Sequence, residues 1–194
     1  DVIGNSTPRY EYSFRADLGF KGFDFSLFLQ GIGKREIVGT GQLACPGYNS
    51  SDGCMPQTIA GDFWYETVKD GTVVDSNYDA FYPRALNGGS GTTFNTVNND
   101  RLLLNMAYLR LKNVTLGYSL PEKVINKATI KKLRFYVSLE NFLTFDHLRG
   151  LPIDPEVING YSVSAFSKDN YALGRTSVGT PAMKSASFGV QITF

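Results

Sequence analysis

The chain offers few groups that could do chemistry. His147 is its only histidine. No second histidine or third partner joins it, so neither a Ser-His-Asp constellation nor a zinc set has support. Catalysis therefore has no residues to rest on, and no enzyme activity, resident metal or cofactor is expected. Asp154 and Glu156 could join other loop oxygens in a calcium site, or stand as solvated loop acids. Cys45 and Cys54 lie close together in a polar stretch, and in an oxidising compartment they would form a disulfide that staples the stretch. Left reduced, they are two separate thiols. The remaining candidates are aromatic. Trp64, Tyr65, Tyr78 and Tyr82 could stack on sugar rings or peptide side chains as a substrate-binding group, or pack among themselves. Asn49-Ser50-Ser51 and Asn113-Val114-Thr115 match the glycosylation pattern, the second inside a strand pattern.

Strands must position these groups. Ala186, Phe188, Val190, Ile192 and Phe194 alternate with Ser187, Gly189, Gln191 and Thr193 up to the last residue. Period-two alternation marks a strand with one apolar and one polar face. A soluble domain rarely ends on an exposed aromatic strand, because chain ends are usually frayed and polar. A membrane barrel often does, since its last strand faces lipid on alternate residues and finishes in an aromatic girdle. Tyr10, Tyr12, Phe14, Ala16, Leu18 and Phe20 alternate in the same way with Glu11, Ser13, Arg15, Asp17 and Gly19. Lys21-Gly22 makes a tight turn, and Phe23, Phe25, Leu27 and Leu29 begin the return strand. Leu109 and Leu111 share one parity, and Val114, Leu116, Tyr118 and Leu120 the other. The slip at Lys112-Asn113 predicts a β-bulge. Leu133, Phe135, Val137, Leu139, Leu143 and Phe145 form the remaining apolar row.

Five strands result, at about 10–20, 23–37, 107–120, 132–145 and 185–194. Connections at 38–106 and 146–184 are long and without periodicity; the turns at Lys21-Gly22 and 121–131 are short, the second with room for one helical turn. Outer-membrane barrels sort their connections this way, with short periplasmic turns and long extracellular loops. Arg15, Asp17, Arg134 and Glu140 all fall on the polar parity, which in a barrel lines the lumen.

Composition agrees. Of 194 residues, 14 are Phe, 11 Tyr and 20 Gly, which suits strands and turns better than helices. The net charge of +1 creates no basic field for nucleic acid. Mean hydropathy is −0.15 and no stretch of ~20 apolar residues occurs, so a helical membrane span is excluded while a barrel is not. Five antiparallel strands cannot close on themselves, and lipid cannot satisfy two open edges. The opening Asp1-Val2-Ile3-Gly4 lacks both an initiator Met and a signal sequence. The chain is thus expected to be an internal piece of a longer precursor, needing more sheet from elsewhere.

Several long motifs carry a family resemblance. The run from Tyr108 to Pro121, YLRLKNVTLGYSLP, resembles the YLRLKNVTLGYTLP motif of SusC/RagA-type TonB-dependent transporters. The run from Leu133 to Phe145 is similar to their following LRVYVSGQNLFTF strand. Gly150 with Asp154-Pro155-Glu156 resembles a GYDPE loop, although this chain reads Gly-Leu-Pro-Ile-Asp-Pro-Glu. Ser187 to Phe194 resembles the closing SFGLNLTF, and Gly4 to Tyr10 and Gly22 to Gly31 resemble two earlier segments. The matches run in order along nearly the whole chain.

The resemblance implies an all-β fold: an antiparallel transmembrane barrel fragment, the last five strands of a 22-stranded plugged barrel with long extracellular loops. It implies nutrient import across a bacterial outer membrane, of glycans or peptides, with energy from TonB. It implies four partners: the remaining barrel and plug, a SusD-like surface lipoprotein, outer-membrane lipid, and TonB through an upstream region absent here. Phe188, Val190, Ile192 and Phe194 would serve as the assembly signal. A bacterial source makes both glycosylation patterns incidental. The competing reading is a secreted soluble β-sandwich that binds carbohydrate through its loops.

Overall fold

The computed structural model describes residues 3–39, 55–86, 95, 97, 99–125, 130–156 and 182–194. Cys45 and Cys54 lie outside them. The chain divides into two compact units, one holding 8–33, 107–146 and 182–194, the other 1–7, 34–106 and 147–181.

The first unit is a single antiparallel sheet. Its strands are β1 (Tyr10–Phe20), β2 (Phe23–Gly33), β7 (Tyr108–Ser119), β8 (Lys132–Asp146) and β9 (Ser185–Thr193), hydrogen-bonded in that order. Each neighbour in space is also the next long strand in sequence, the up-and-down pattern of a barrel wall. The β1–β2 turn has Lys21 at φ 47° and Gly22 at φ 86°. Two successive left-handed residues make the type I′ turn, whose twist matches that of the strands it joins. Side-chain room reinforces Gly22, where a Cβ would stand 2.8 Å from the Ser119 carbonyl oxygen. At the other short turn, α2 (Glu122–Ile125) is a single helical turn closing onto a buried Ile125.

The bulge falls where the parity slips. Leu29 pairs with Leu111 and Phe28 with Asn113, leaving Lys112 as the extra residue against β2. On β8 the pairing steps from Leu143 to Glu140 across the same place. Asn141 there has φ 55°, a left-handed value that Asn tolerates better than most residues. Its side-chain amide donates to the Met183 carbonyl at 3.2 Å.

The second unit is built from the long connections, and its core is small. Ile59, Tyr82, Leu104, Met106, Leu148, Leu151 and Ile153 are buried together, with Ile37, Met55, Phe63 and Phe81 packed against them. Leu148, Leu151 and Ile153 come from the second connection and the other buried residues from the first, so one core ties both connections together.

This unit has more regular structure than the sequence pattern suggests. Strand β3 (Glu36–Val38) pairs with β6 (Leu103–Asn105), and β4 (Tyr65–Lys69) pairs with β5 (Thr72–Asn77). α1 (Gln57–Ala60) is one helical turn. The second expected strand stops at Gly33 rather than running to 37. Lys34 takes a left-handed φ of 37°, which breaks the extended run, and the chain resumes as β3 in a different sheet.

Candidate functional site

The sheet has two chemically distinct faces. Residues paired directly across antiparallel strands point the same way, so the register sorts every paired side chain. One row on the first face reads Ala16, Leu27, Val114, Leu139, Ala186. The next reads Leu18, Phe25, Leu116, Val137, Phe188. On the other side of the first row lie Phe14, Leu29, Leu111 and Leu143. The bulge is what keeps Leu109 and Leu111 on the face of Val114 and Leu116. This face is exposed: Phe14 is 58%, Leu18 66% and Phe188 70% accessible. Contiguous apolar exposure on this scale marks a surface that meets something other than water.

Aromatic residues gather at both ends of the face. Phe20, Phe23, Tyr118 and Phe135 share a row at the Lys21-Gly22 end, with the Phe23 and Tyr118 rings 4.5 Å apart. Tyr10, Tyr12 and Phe145 mark the opposite end. There the Tyr10 ring lies over Gly33 and the Tyr12 ring over Gly31, filling the space above residues that have no side chain of their own. The Tyr12 hydroxyl donates to the Tyr108 carbonyl at 3.0 Å.

The second face is polar. One row reads Asp17, Ser26, Thr115, Ser138, Ser187; within it the Thr115 hydroxyl donates to Ser138 at 3.0 Å, and the Asn113 side-chain amide, from another row, donates to Ser138 at 2.9 Å. Arg15 pairs with Asp17 at 2.8 Å on the exposed edge. Arg110 is 4% exposed, donates to Thr144 at 2.9 Å and lies over the Tyr108 ring.

One ion pair of this face crosses a whole strand. Arg134 on β8 reaches Asp24 on β2 over the intervening β7. Its Nε donates to Asp24 Oδ1 at 2.9 Å, and its Nη2 donates to Oδ2. Two parallel bonds from one guanidinium to one carboxylate are the strong form of this pair. Gly117, on β7 in the row of Asp24, makes the crossing possible. A Cβ there would stand 2.5 Å from the Asp24 carboxylate and 2.7 Å from Arg134 Nε. The Arg134 guanidinium also lies 4.9 Å from the Tyr136 ring centroid.

The aromatic residues singled out in the sequence are only partly brought together. Asp62 and Trp64 are tied to Tyr82 by backbone bonds: Trp64 N–H donates to the Tyr82 carbonyl at 2.9 Å, and Tyr82 N–H donates to the Asp62 carbonyl at 3.0 Å. The Asp62 carboxylate accepts the Phe81 N–H at 3.0 Å. The β4–β5 pairing, which sets Tyr65 against Asn77, brings the adjacent Trp64 and Tyr78 together, with ring centroids 6.1 Å apart. Both line a cleft of about 590 Å³ together with Asp79, Ala80, Tyr82, Pro83, Arg84 and Arg101. Tyr82 contributes little open surface, because it is 4% exposed and belongs to the core. Tyr65 does not line the cleft. It packs near Phe63, and its hydroxyl donates to Asp75 at 3.2 Å. That bond and the Asp75 charge push the phenol above its ordinary range. Arg84 and Arg101 were not legible as partners of these rings, although Arg84 stands two residues from Tyr82 and so could have been noticed.

Asp154 accepts the Glu156 backbone N–H at 3.0 Å, a local turn contact. Among the described residues no group of three His, Cys, Asp or Glu side chains is placed to hold a metal ion. No helix among them is long and apolar enough to cross a membrane, which has no bearing on crossing by strands.

A sheet with an exposed apolar face, aromatic ends and its register-paired charges on the opposite side is what a section of transmembrane barrel wall requires. Comparison with known proteins points the same way: the whole of the chain is homologous to part of TonB-dependent receptors. It is 28% identical to TonB-dependent receptor P3 and 25% identical to TonB-dependent receptor P26, both of Formosa agariphila. It spans 17% and 18% of those two proteins. Its fold is similar to chains of the RagAB peptide importer in the "open-open" and "closed-closed" states, with TM-scores of 0.60 and 0.62 at 20% identity. All of this chain and 18% of each of those is covered. No family model matches.

Proposed function

We propose that this chain is the closing part of the barrel of a SusC-type TonB-dependent transporter that imports nutrients across a bacterial outer membrane. The observation that carries the reading is the two-faced sheet. In this reading the apolar face contacts lipid and the face of Asp24, Arg134 and Thr115 lines the lumen against a plug. The homology to TonB-dependent receptors and the RagAB-like fold support it. Among the described residues no strand pairs with the outer edge of β1 or β9. Unpaired edges in lipid would cost several kcal/mol per backbone group, about the value for an unsatisfied polar group there, so the rest of a barrel of about 22 strands is expected to pair with them.

The long connections, 38–106 and 146–184, are read as extracellular and as the place where a SusD-like lipoprotein docks. The turns at Lys21-Gly22 and 121–131 are read as periplasmic. The row ending in Phe188, Val190, Ile192 and Phe194 is read as the assembly signal, and TonB as acting through an upstream region. A soluble sandwich would bury the face on which Phe14, Leu18 and Phe188 are more than half exposed.

The test is cell fractionation of the full-length protein with affinity purification from the membrane. The reading expects outer-membrane recovery, a requirement for detergent, a heat-modifiable gel band and a co-purifying surface lipoprotein. Recovery as a detergent-free, monodisperse soluble protein would overturn it in favour of the sandwich.

A further inference from the structure

We infer that the Trp64 cleft binds an anionic sugar, one bearing a carboxylate or a sulfate ester. The inference rests on the aromatic residues being a ligand site and adds the class of ligand. The cleft's volume of about 590 Å³ falls within the range of small-molecule sites. Trp64 and Tyr78 supply the apolar floor. Their ring planes are inclined by 40°, and Tyr78 is 57% exposed, so an open ring face is offered to a ligand. Pro83 and Ala80 extend the apolar lining.

The charged lining is what narrows the class. Arg84, Arg101 and Asp79 contribute it, two cations against one anion. The Arg84 guanidinium lies 5.8 Å from the Trp64 ring centroid, so charge and ring are presented together. Arg101 is oriented by its own bond, Nη1 donating to the Phe81 carbonyl at 2.9 Å. Among the described residues neither guanidinium is ion-paired. A guanidinium only donates, and its fork fits a carboxylate or sulfate. A neutral sugar could meet the two guanidiniums only through hydroxyl acceptors, whereas an anionic group also meets their charge. An acidic sugar places its C–H face on the rings, its anionic group on the guanidiniums and a hydroxyl on Asp79. A peptide is usually held by backbone pairing to a strand edge, whereas every group named here is a side chain.

The test measures binding by calorimetry to the full-length transporter in detergent. The probes are tetragalacturonate, a sulfated carrageenan tetrasaccharide, neutral galactotetraose and tetraglutamate. The variants are Trp64→Ala and the double Arg84→Gln, Arg101→Gln; both arginines are exposed, and half-buried Trp64 lies outside the core cluster. One or both acidic sugars should bind more tightly than galactotetraose, and more weakly as salt is raised. The double variant should weaken the acidic sugar by roughly tenfold or more and leave galactotetraose unchanged. Which acidic probe binds separates carboxylate from sulfate. Sugar binding that needs Trp64 but not the arginines would overturn the anionic class and keep the site. Binding indifferent to all three residues would overturn the site itself. Preference for tetraglutamate would overturn the sugar.

Discussion

Leu27 and Ser26 are neighbours on β2 that face opposite ways, and replacing each in turn by arginine tests the faces directly. Leu27 lies in the row of Ala16, Val114, Leu139 and Ala186, and Ser26 in the row of Asp17, Thr115 and Ser138. On β2 the apolar face runs from Phe23 to Gly33. At ~3.3 Å per residue and a tilt of about 40°, Leu27 lies roughly 10 Å from the Phe23 end and roughly 15 Å from the Gly33 end. The two distances together match the apolar band of about 25 Å in such barrels, which puts Leu27 near the midplane. Leu27→Arg should cost about 2–4 kcal/mol, the midplane value for arginine facing lipid. Phe23→Arg, in the aromatic row, should cost about 0–1 kcal/mol, and Ser26→Arg little more, because in the proposed barrel its charge joins the polar face rather than the lipid face. The assay is urea unfolding of the full-length protein in lipid vesicles, read as the midpoint at constant slope. A Leu27→Arg variant no less stable than Ser26→Arg would refute the assignment of faces.

Three further outcomes follow from the same geometry. Gly117→Val should displace the Asp24–Arg134 pair and cost about 1–3 kcal/mol by overpacking, whereas Asp24→Asn should cost about 1 kcal/mol or less because the pair is partly solvated; equal costs by urea unfolding would count against Gly117 as the crossing point. A cysteine at Lys69 should react with an impermeant maleimide on intact cells and one at Lys123 should not; the reverse would invert the topology. Deleting Phe194 should lower outer-membrane levels on a quantitative blot, and unchanged levels would remove it from the assembly signal.

Much of the sheet was legible because a strand's facing is a local property. Cβ direction alternates with each residue, so Phe14 and Arg15 are sorted by their own backbone whatever their partners. The bulge at Lys112 was legible for the same reason: two rows that meet out of step need one extra residue between them. The β4–β5 hairpin was missed although its signal is present. Asp70-Gly71 occupies the turn at φ 51° and 77°, and Asp-Gly is a strong hairpin pair, but Thr67 to Val74 is too short and too evenly exposed to show alternation.

What the sequence could not determine is non-local. Asp24 and Arg134 are 110 residues apart, and only the register of β2, β7 and β8 brings them together over a strand that has no side chain at Gly117. The end of β2 was decided by a left-handed Lys34, a conformation that no period predicts. Likewise Trp64 and Tyr78 are near in sequence, but Arg101 enters their cleft from a distant part of the connection. Tyr82, equally aromatic, is drawn into the core with Met106 and Leu148. Composition supplied the rings; tertiary packing determined which of them line an open cleft and which are buried.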